Sequence, residues 1–104
     1  MIQKAFKMKL FAGQEEEYKR RHDSIWPELA QTLKEHGAHT YLIFHDKESN
    51  YLFAYIEMEG VEMWDKVAKT EICKKWWDHM KDIMETNPDN SPISIELSKV
   101  FNLK

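Results

Sequence analysis

Tyr18 and His22 stand four residues apart in EEEYKRRHD, and Trp76 and Trp77 stand side by side in KKWWDH. If the first stretch is helical, a hydroxyl and an imidazole share one face. Histidine has the only side chain whose unperturbed pKa, about 6.5, lets it give and take protons at neutral pH. His22 is therefore the acid/base candidate, although a histidine on a helix face is ordinarily a surface residue or one satisfied by its neighbours. The tryptophans pose a different question. Neighbours on a helix point about 100° apart, so a narrow apolar stripe cannot centre both rings. With Trp76 taken as zero, Ile72, Met80 and Ile83 fall within about 40° of it, while Trp77 lies about 100° round, beside Cys73 and Met84. Trp76 reads as core and Trp77 as rim. A rim indole can offer its flat face to the apolar C–H face of a sugar and its N–H as one donor.

Other chemistry finds less support. His36 and His39 in HGAH have the spacing of a metal pair, but Gly37 interrupts the helix between them and no second pair follows. There is no glycine-rich phosphate loop and no nucleophile motif with a local partner.

The elements that must position these residues follow from periodicity. FKMKLF alternates Phe6, Met8 and Leu10 against Lys7 and Lys9, the pattern of a strand with one buried face. QEEEYKRRH opens on acidic residues, as a helix start favours, and PELAQTLKEHG begins on Pro27 and stops at Gly37. Two helical pieces with a break near Asp23 and Ser24 are expected. HTYLIFHD and NYLFAYIEM read as a hairpin, VEMWDKVA and TEICKKWWDHMKDIM as helical, and ISIELSKVF as a closing strand that alternates through Ile93, Ile95 and Leu97.

Strand, helix, two hairpin strands, helix, strand is the split βαβ or ferredoxin-like order, an α+β fold whose antiparallel sheet carries its helices on one face. Strand 39–45 places Tyr41 and Ile43 on one side and Leu42 and Phe44 on the other, so neither side is polar. A sheet with two apolar faces and helices for one needs a second cover, and another copy of the chain, packed sheet to sheet, is the simplest. The competing reading is that exposed aromatics merely support β propensity.

A chain of 104 residues suits one domain spanning 1–104. A net charge of −3 with mixed signs offers no basic stripe for nucleic acid and no polybasic anchor for membrane. Cys73 is the only cysteine, which excludes an intrachain disulfide and fits a reducing cytoplasm. Lys4, Lys7 and Lys9 break any signal-peptide core, so a soluble, unprocessed chain is expected.

The strings EYKRRHDSIWPEL, HGAHTY, KWWDHM and NPDNSP, in this order, resemble the L-rhamnose mutarotase family from Met1 to the last strand. The resemblance implies a small cytoplasmic homodimer with a ferredoxin-like, dimeric α+β barrel fold. It implies an isomerase that interconverts the α and β anomers of L-rhamnose without metal or cofactor. It makes His22 the proton donor and Tyr18, Tyr41, Trp76 and Trp77 substrate contacts, and it leaves the partner base unassigned. Two other functions suit the same fold: a non-catalytic small-ligand-binding module, and a cofactorless monooxygenase that oxygen consumption would reveal.

Overall fold

The computed structural model describes all residues, 1–104. Its centre is β3 (Tyr51–Met58), in which Leu52, Ala54, Ile56 and Met58 are almost wholly buried while Phe53 on the opposite face is 36% exposed. Period-two alternation of this kind requires a strand whose two faces meet different surroundings. β3 pairs antiparallel with β1 (Ile2–Lys9) on one side and with β2 (Ala38–His45) on the other, and β4 (Ser94–Leu97) joins the free edge of β1. The order β2-β3-β1-β4 is that of the ferredoxin-like fold expected from the sequence.

The helices cover one face. α1 (Glu15–Asp23) and α2 (Pro27–Glu35) occupy the first connection, broken at Ser24 as expected. α3 (Val61–Asp65), a 3-10 turn (Lys66–Lys69) and α4 (Glu71–Met80) occupy the second. Thr70 caps α4 by accepting from the Cys73 amide at 3.3 Å. Gly37 ends the α2 segment at φ +94, where a Cβ would stand 3.1 Å from Cβ of Glu59. Glycine is needed there both for its backbone angle and for the close approach to the residue after β3. Tyr18, Leu29, Trp76 and Met80 from the helices close over Met8, Leu10, Leu52 and Ala54 of the sheet side. No helix is long and apolar enough to cross a membrane.

The structure corrects the sequence reading at two places. The last helix ends at Met80, four residues before the expected Met84, with no glycine or proline to stop it. The amide of Phe11 donates to the Ile83 carbonyl and the amide of Glu85 to the Lys9 carbonyl, each at 2.9 Å, and Leu10 bridges Met84. Residues 83–85 thus satisfy their backbone groups against the end of β1, which competes successfully with a further helical turn. Ile83 and Met84 are buried by that pairing and not by their azimuth on a helix. The closing strand is also shorter than expected: β4 stops at Leu97, residues 98–104 form no regular element, and Val100 is 92% exposed.

The outer sheet face carries Leu42, Phe44, Phe53, Ile95 and Leu97, all at least partly open. The expected second apolar face therefore exists, with no helix over it.

Arg21 ties α1 to the end of α4. Its guanidinium donates to Glu17 at 2.6 Å, to Asp82 at 2.9 Å and 3.2 Å, and to the His79 carbonyl at 2.7 Å. Hydrogen bonds from Arg20 and then Arg21 hold the Glu17 carboxyl at a pKa of about 2, and Arg21 likewise lowers that of Asp82. Lowered folded-state values stabilise the protein above the unfolded pKa, and this support is lost as pH falls through the folded value. The thermal midpoint measured by circular dichroism is therefore expected to drop between about pH 4.5 and pH 2. Glu17→Gln should flatten that drop. Because Asp82 is solvent-exposed and Glu17 partly so, the effect should shrink in about 1 M salt.

Candidate active site

Between the helices and the inner sheet face lies an open cleft of about 1250 Å³. All five residues singled out in the sequence, Tyr18, His22, Tyr41, Trp76 and Trp77, line it. They arrive from three elements: α1 supplies Tyr18 and His22, β2 supplies Tyr41, and α4 supplies the tryptophans.

His22 is held from three sides. Its Nδ1–H donates to the Tyr18 carbonyl at 3.0 Å, one helical turn back. A carbonyl can only accept, so the proton of the neutral ring sits on Nδ1 and Nε2 is left as the atom that exchanges protons. The ring stacks on Tyr18, centroids 4.2 Å apart and planes 25° apart, and meets Trp76 edge to face at 5.3 Å. Burial lowers its pKa, against the opposing influence of the Tyr18 carbonyl and of Asp23. At neutral pH the imidazole is therefore mainly uncharged, and its protonated form is a stronger acid than free imidazolium.

The two tyrosines behave alike. Burial, reinforced by neighbouring Tyr41, pushes the Tyr18 hydroxyl far above its ordinary range. Tyr41 keeps 36% of its surface open, yet its hydroxyl is hemmed in by protein and its pKa is pushed up to about 12. Neither shift has a hydrogen bond among its causes. Both hydroxyls remain protonated at any working pH and are free to bond to a ligand's oxygens, but neither can serve as a base.

The tryptophans divide as their azimuths require. Trp76 is 9% exposed and packs edge to face with Trp26 at 5.1 Å as well as with His22, whereas Trp77 is half-buried. Trp76 is thus core and cleft wall together, and Trp77 is a rim wall. Cys73 beside them is buried, and burial pushes its thiol up to about 11, so it remains a thiol. His36 and His39 engage the Thr32 carbonyl and the Glu59 carboxylate separately.

Sequence reasoning passed over Trp64, which also lines the cleft and meets Tyr41 edge to face at 6.0 Å. Its aromatic character inside VEMWD was visible, but nothing local distinguished it from a packing residue. It passed over Lys4 and Glu96 too, which line the cleft from β1 and β4 and form an ion pair at 3.2 Å. Only the register of the two strands brings them together.

A stacked, half-dry histidine with one free nitrogen, two neutral hydroxyls and flat indole walls can bind a small polyhydroxylated ring and move a proton on it. The family model for L-rhamnose mutarotase matches residues 3–103. An L-rhamnose mutarotase of Clostridium beijerinckii is 71% identical over 104 residues, the whole of both chains. Among solved structures, an L-rhamnose mutarotase from Formosa agariphila is 52% identical, covers all of both chains and superposes with a TM-score of 0.93. A dimeric ferredoxin-like protein from an uncultured marine organism is similar in fold alone, at 14% identity and a TM-score of 0.68 over 98% of this chain and 97% of its own.

The division between the two indoles is open to measurement. Trp76→Ala removes a buried ring from under His22 and is expected to cost about 3–5 kcal/mol in urea unfolding. Trp77→Ala should cost clearly less, and equal losses would place both rings in the core.

Proposed function

The chain belongs to the L-rhamnose mutarotase family and is an isomerase of L-rhamnose anomers, and we propose that His22 carries the proton that this reaction needs. Exchange of α and β anomers requires a proton on the ring oxygen and loss of one from the anomeric hydroxyl. The ring opens, the aldehyde carbon rotates, and closure in the other sense reverses both transfers. The reading rests above all on the fixing of Nδ1 by the Tyr18 carbonyl, which reserves Nε2 for the sugar.

In this scheme the His22 imidazolium donates from Nε2 to the ring oxygen, and the resulting neutral imidazole takes the proton back on closure. Tyr18 and Tyr41 hold sugar oxygens as neutral donors. Trp76 and Trp77 stack against the C–H face and displace water, which strengthens each remaining polar contact. The group that accepts the anomeric proton stays unassigned. Anomers already exchange slowly in water, so acid/base help of about 10²–10⁴-fold together with positioning is sufficient.

We propose further that the working unit is a homodimer packed through the outer sheet face. The exposed Leu42, Phe44, Phe53, Ile95 and Leu97 support this, as does the likeness to a ferredoxin-like protein described as dimeric. A reducing cytoplasm is the proposed location, in keeping with a single buried thiol.

His22→Ala is expected to preserve the circular dichroism spectrum and to slow anomer exchange by about 10²-fold or more in saturation-transfer NMR. The lowered pKa sets the sign of the pH dependence. If the imidazolium is the donor, the enzymatic rate falls as pH rises through a value below 6.5, the ordinary histidine pKa. A rate that instead rises with pH through that range would make His22 the base. Sedimentation at micromolar concentration should give twice the mass of the 12.5 kDa chain, and a folded monomer would exclude the sheet-to-sheet dimer.

A further inference from the structure

On the inner sheet face, cross-strand registers place side chains in rows. One row runs Glu96, Phe6, Ala54, Ile43 from β4 to β2, and the next runs Lys4, Ile56, Tyr41 from β1 to β2. Every other member of these rows is apolar or aromatic, as a face covered by helices demands. Lys4 and Glu96 break the rule together, with Lys4 Nζ 3.2 Å from Glu96 Oε1. The Glu96 side chain is 69% exposed and that of Lys4 36%, so the pair stands at the wet edge of this face. Here it lies on the helix side and lines the same cleft as Tyr18, His22, Tyr41, Trp76 and Trp77.

β4 sharpens the point. Its apolar residues Ile95 and Leu97 share the face of Lys7 and Ala5, away from the helices, and its polar Ser94 and Glu96 share the face of Met8 and Phe6. This strand turns its polar side to the cleft and its apolar side to the outer face.

The aromatic walls, the tyrosine hydroxyls and His22 together offer few acceptors for a sugar's hydroxyl protons. Each ring hydroxyl brings a proton as well as lone pairs, and placing it between aromatic walls without an acceptor is costly. Each tyrosine hydroxyl offers one donor and limited acceptor capacity, the indoles present faces and one N–H each, and Nε2 of His22 is committed to the reacting atoms. A carboxylate offers about four acceptor sites, of which Lys4 occupies one. Adjacent hydroxyls on a six-membered ring can each give a proton to one carboxylate, while the ammonium donates to one of their oxygens. The distance suits such a ring, because Lys4 and Tyr41 are two strand spacings apart, about 10 Å.

We propose that the Lys4–Glu96 pair is the hydroxyl-reading rim of the cleft, Glu96 accepting from adjacent ring hydroxyls of the sugar and Lys4 both orienting the carboxylate and donating to a hydroxyl oxygen. The assignment rests on the sugar-isomerase reading and deepens it. Glu96 becomes a substrate-binding and specificity residue, distinct from the residue that moves the proton.

Saturation-transfer NMR at varied L-rhamnose concentration tests it with Glu96→Gln and Lys4→Gln. Each should raise KM by about tenfold, with the loss falling mainly on KM, as expected for contacts made alike in ground and transition states. Thermal midpoints should stay near that of the wild type. With L-rhamnose analogues lacking one ring hydroxyl each, the wild type should lose affinity for one or two of them, and Glu96→Gln should show no further loss for those same analogues. A Glu96→Gln variant with wild-type KM, or one whose loss falls on kcat alone, overturns the proposal. Should a variant unfold, backbone amide shifts of Lys4 and Glu96 in the wild-type protein decide. Movement on saturation with L-rhamnose supports the assignment, and no movement overturns it. A wild type that fails to exchange anomers yet shows those shifts would overturn the isomerase reading alone.

Discussion

The pairing of residues 83–85 with the end of β1 is the constraint on which the site depends. Two backbone bonds at 2.9 Å and the Leu10–Met84 bridge fasten the chain after α4 to the chain before α1. Leu10, Ile83 and Met84 are each 2% exposed or less, so these bonds are sheltered from competing water. Arg21 adds a second tie on the outside, using the His79 carbonyl at the end of α4, where carbonyls lack partners within the helix. With α1 and α4 fixed in this way, His22 has one place to stand, stacked on Tyr18 and edge-on to Trp76. Catalytic geometry here is inherited from a junction that touches no substrate.

The chemistry of the cleft comes from dryness combined with sparing use of charge. Burial moves both tyrosine hydroxyls up and the His22 imidazole down, so all three favour their neutral forms. Neutral donors suit a neutral sugar, which would gain little from fixed charges and would have to strip their hydration. Charge appears mainly at the margins: the Arg21 network lies on the outside of α1, and the Lys4–Glu96 pair lies on the β1–β4 side of the sheet.

The two sheet faces are asymmetric in a way that links assembly to activity. The inner face has its helices and leaves the cleft open, while the outer face shows aromatic and branched residues with no helix above them. Residues of opposite parity on the same strands serve the two faces: Tyr41 lines the cleft while Leu42 points away. A one-residue slip of β2 against β3 would exchange the two sets and destroy both surfaces. Register is therefore held by function on one face and by apolar surface on the other.

Much of this was legible in the chain itself. The alternation of FKMKLF and NYLFAYIEM, the break after RRHD and the glycine of HGAH mark strands, helices and their ends, because period, capping and left-handed backbone are local properties. The four-residue spacing of Tyr18 and His22 and the differing azimuths of Trp76 and Trp77 were equally local, and the structure keeps both relations. Tertiary structure alone decided the rest. The end of α4 at Met80 depends on carbonyls and amides of β1 some seventy residues earlier, which no window of sequence contains. The meeting of Trp64 with Tyr41, and of Lys4 with Glu96, follows from how β1, β2, β3 and β4 align. The lowered pKa of His22 comes from neighbours on other elements that exclude water from it. Periodicity states which way a side chain points, but only the packed chain determines what it meets there.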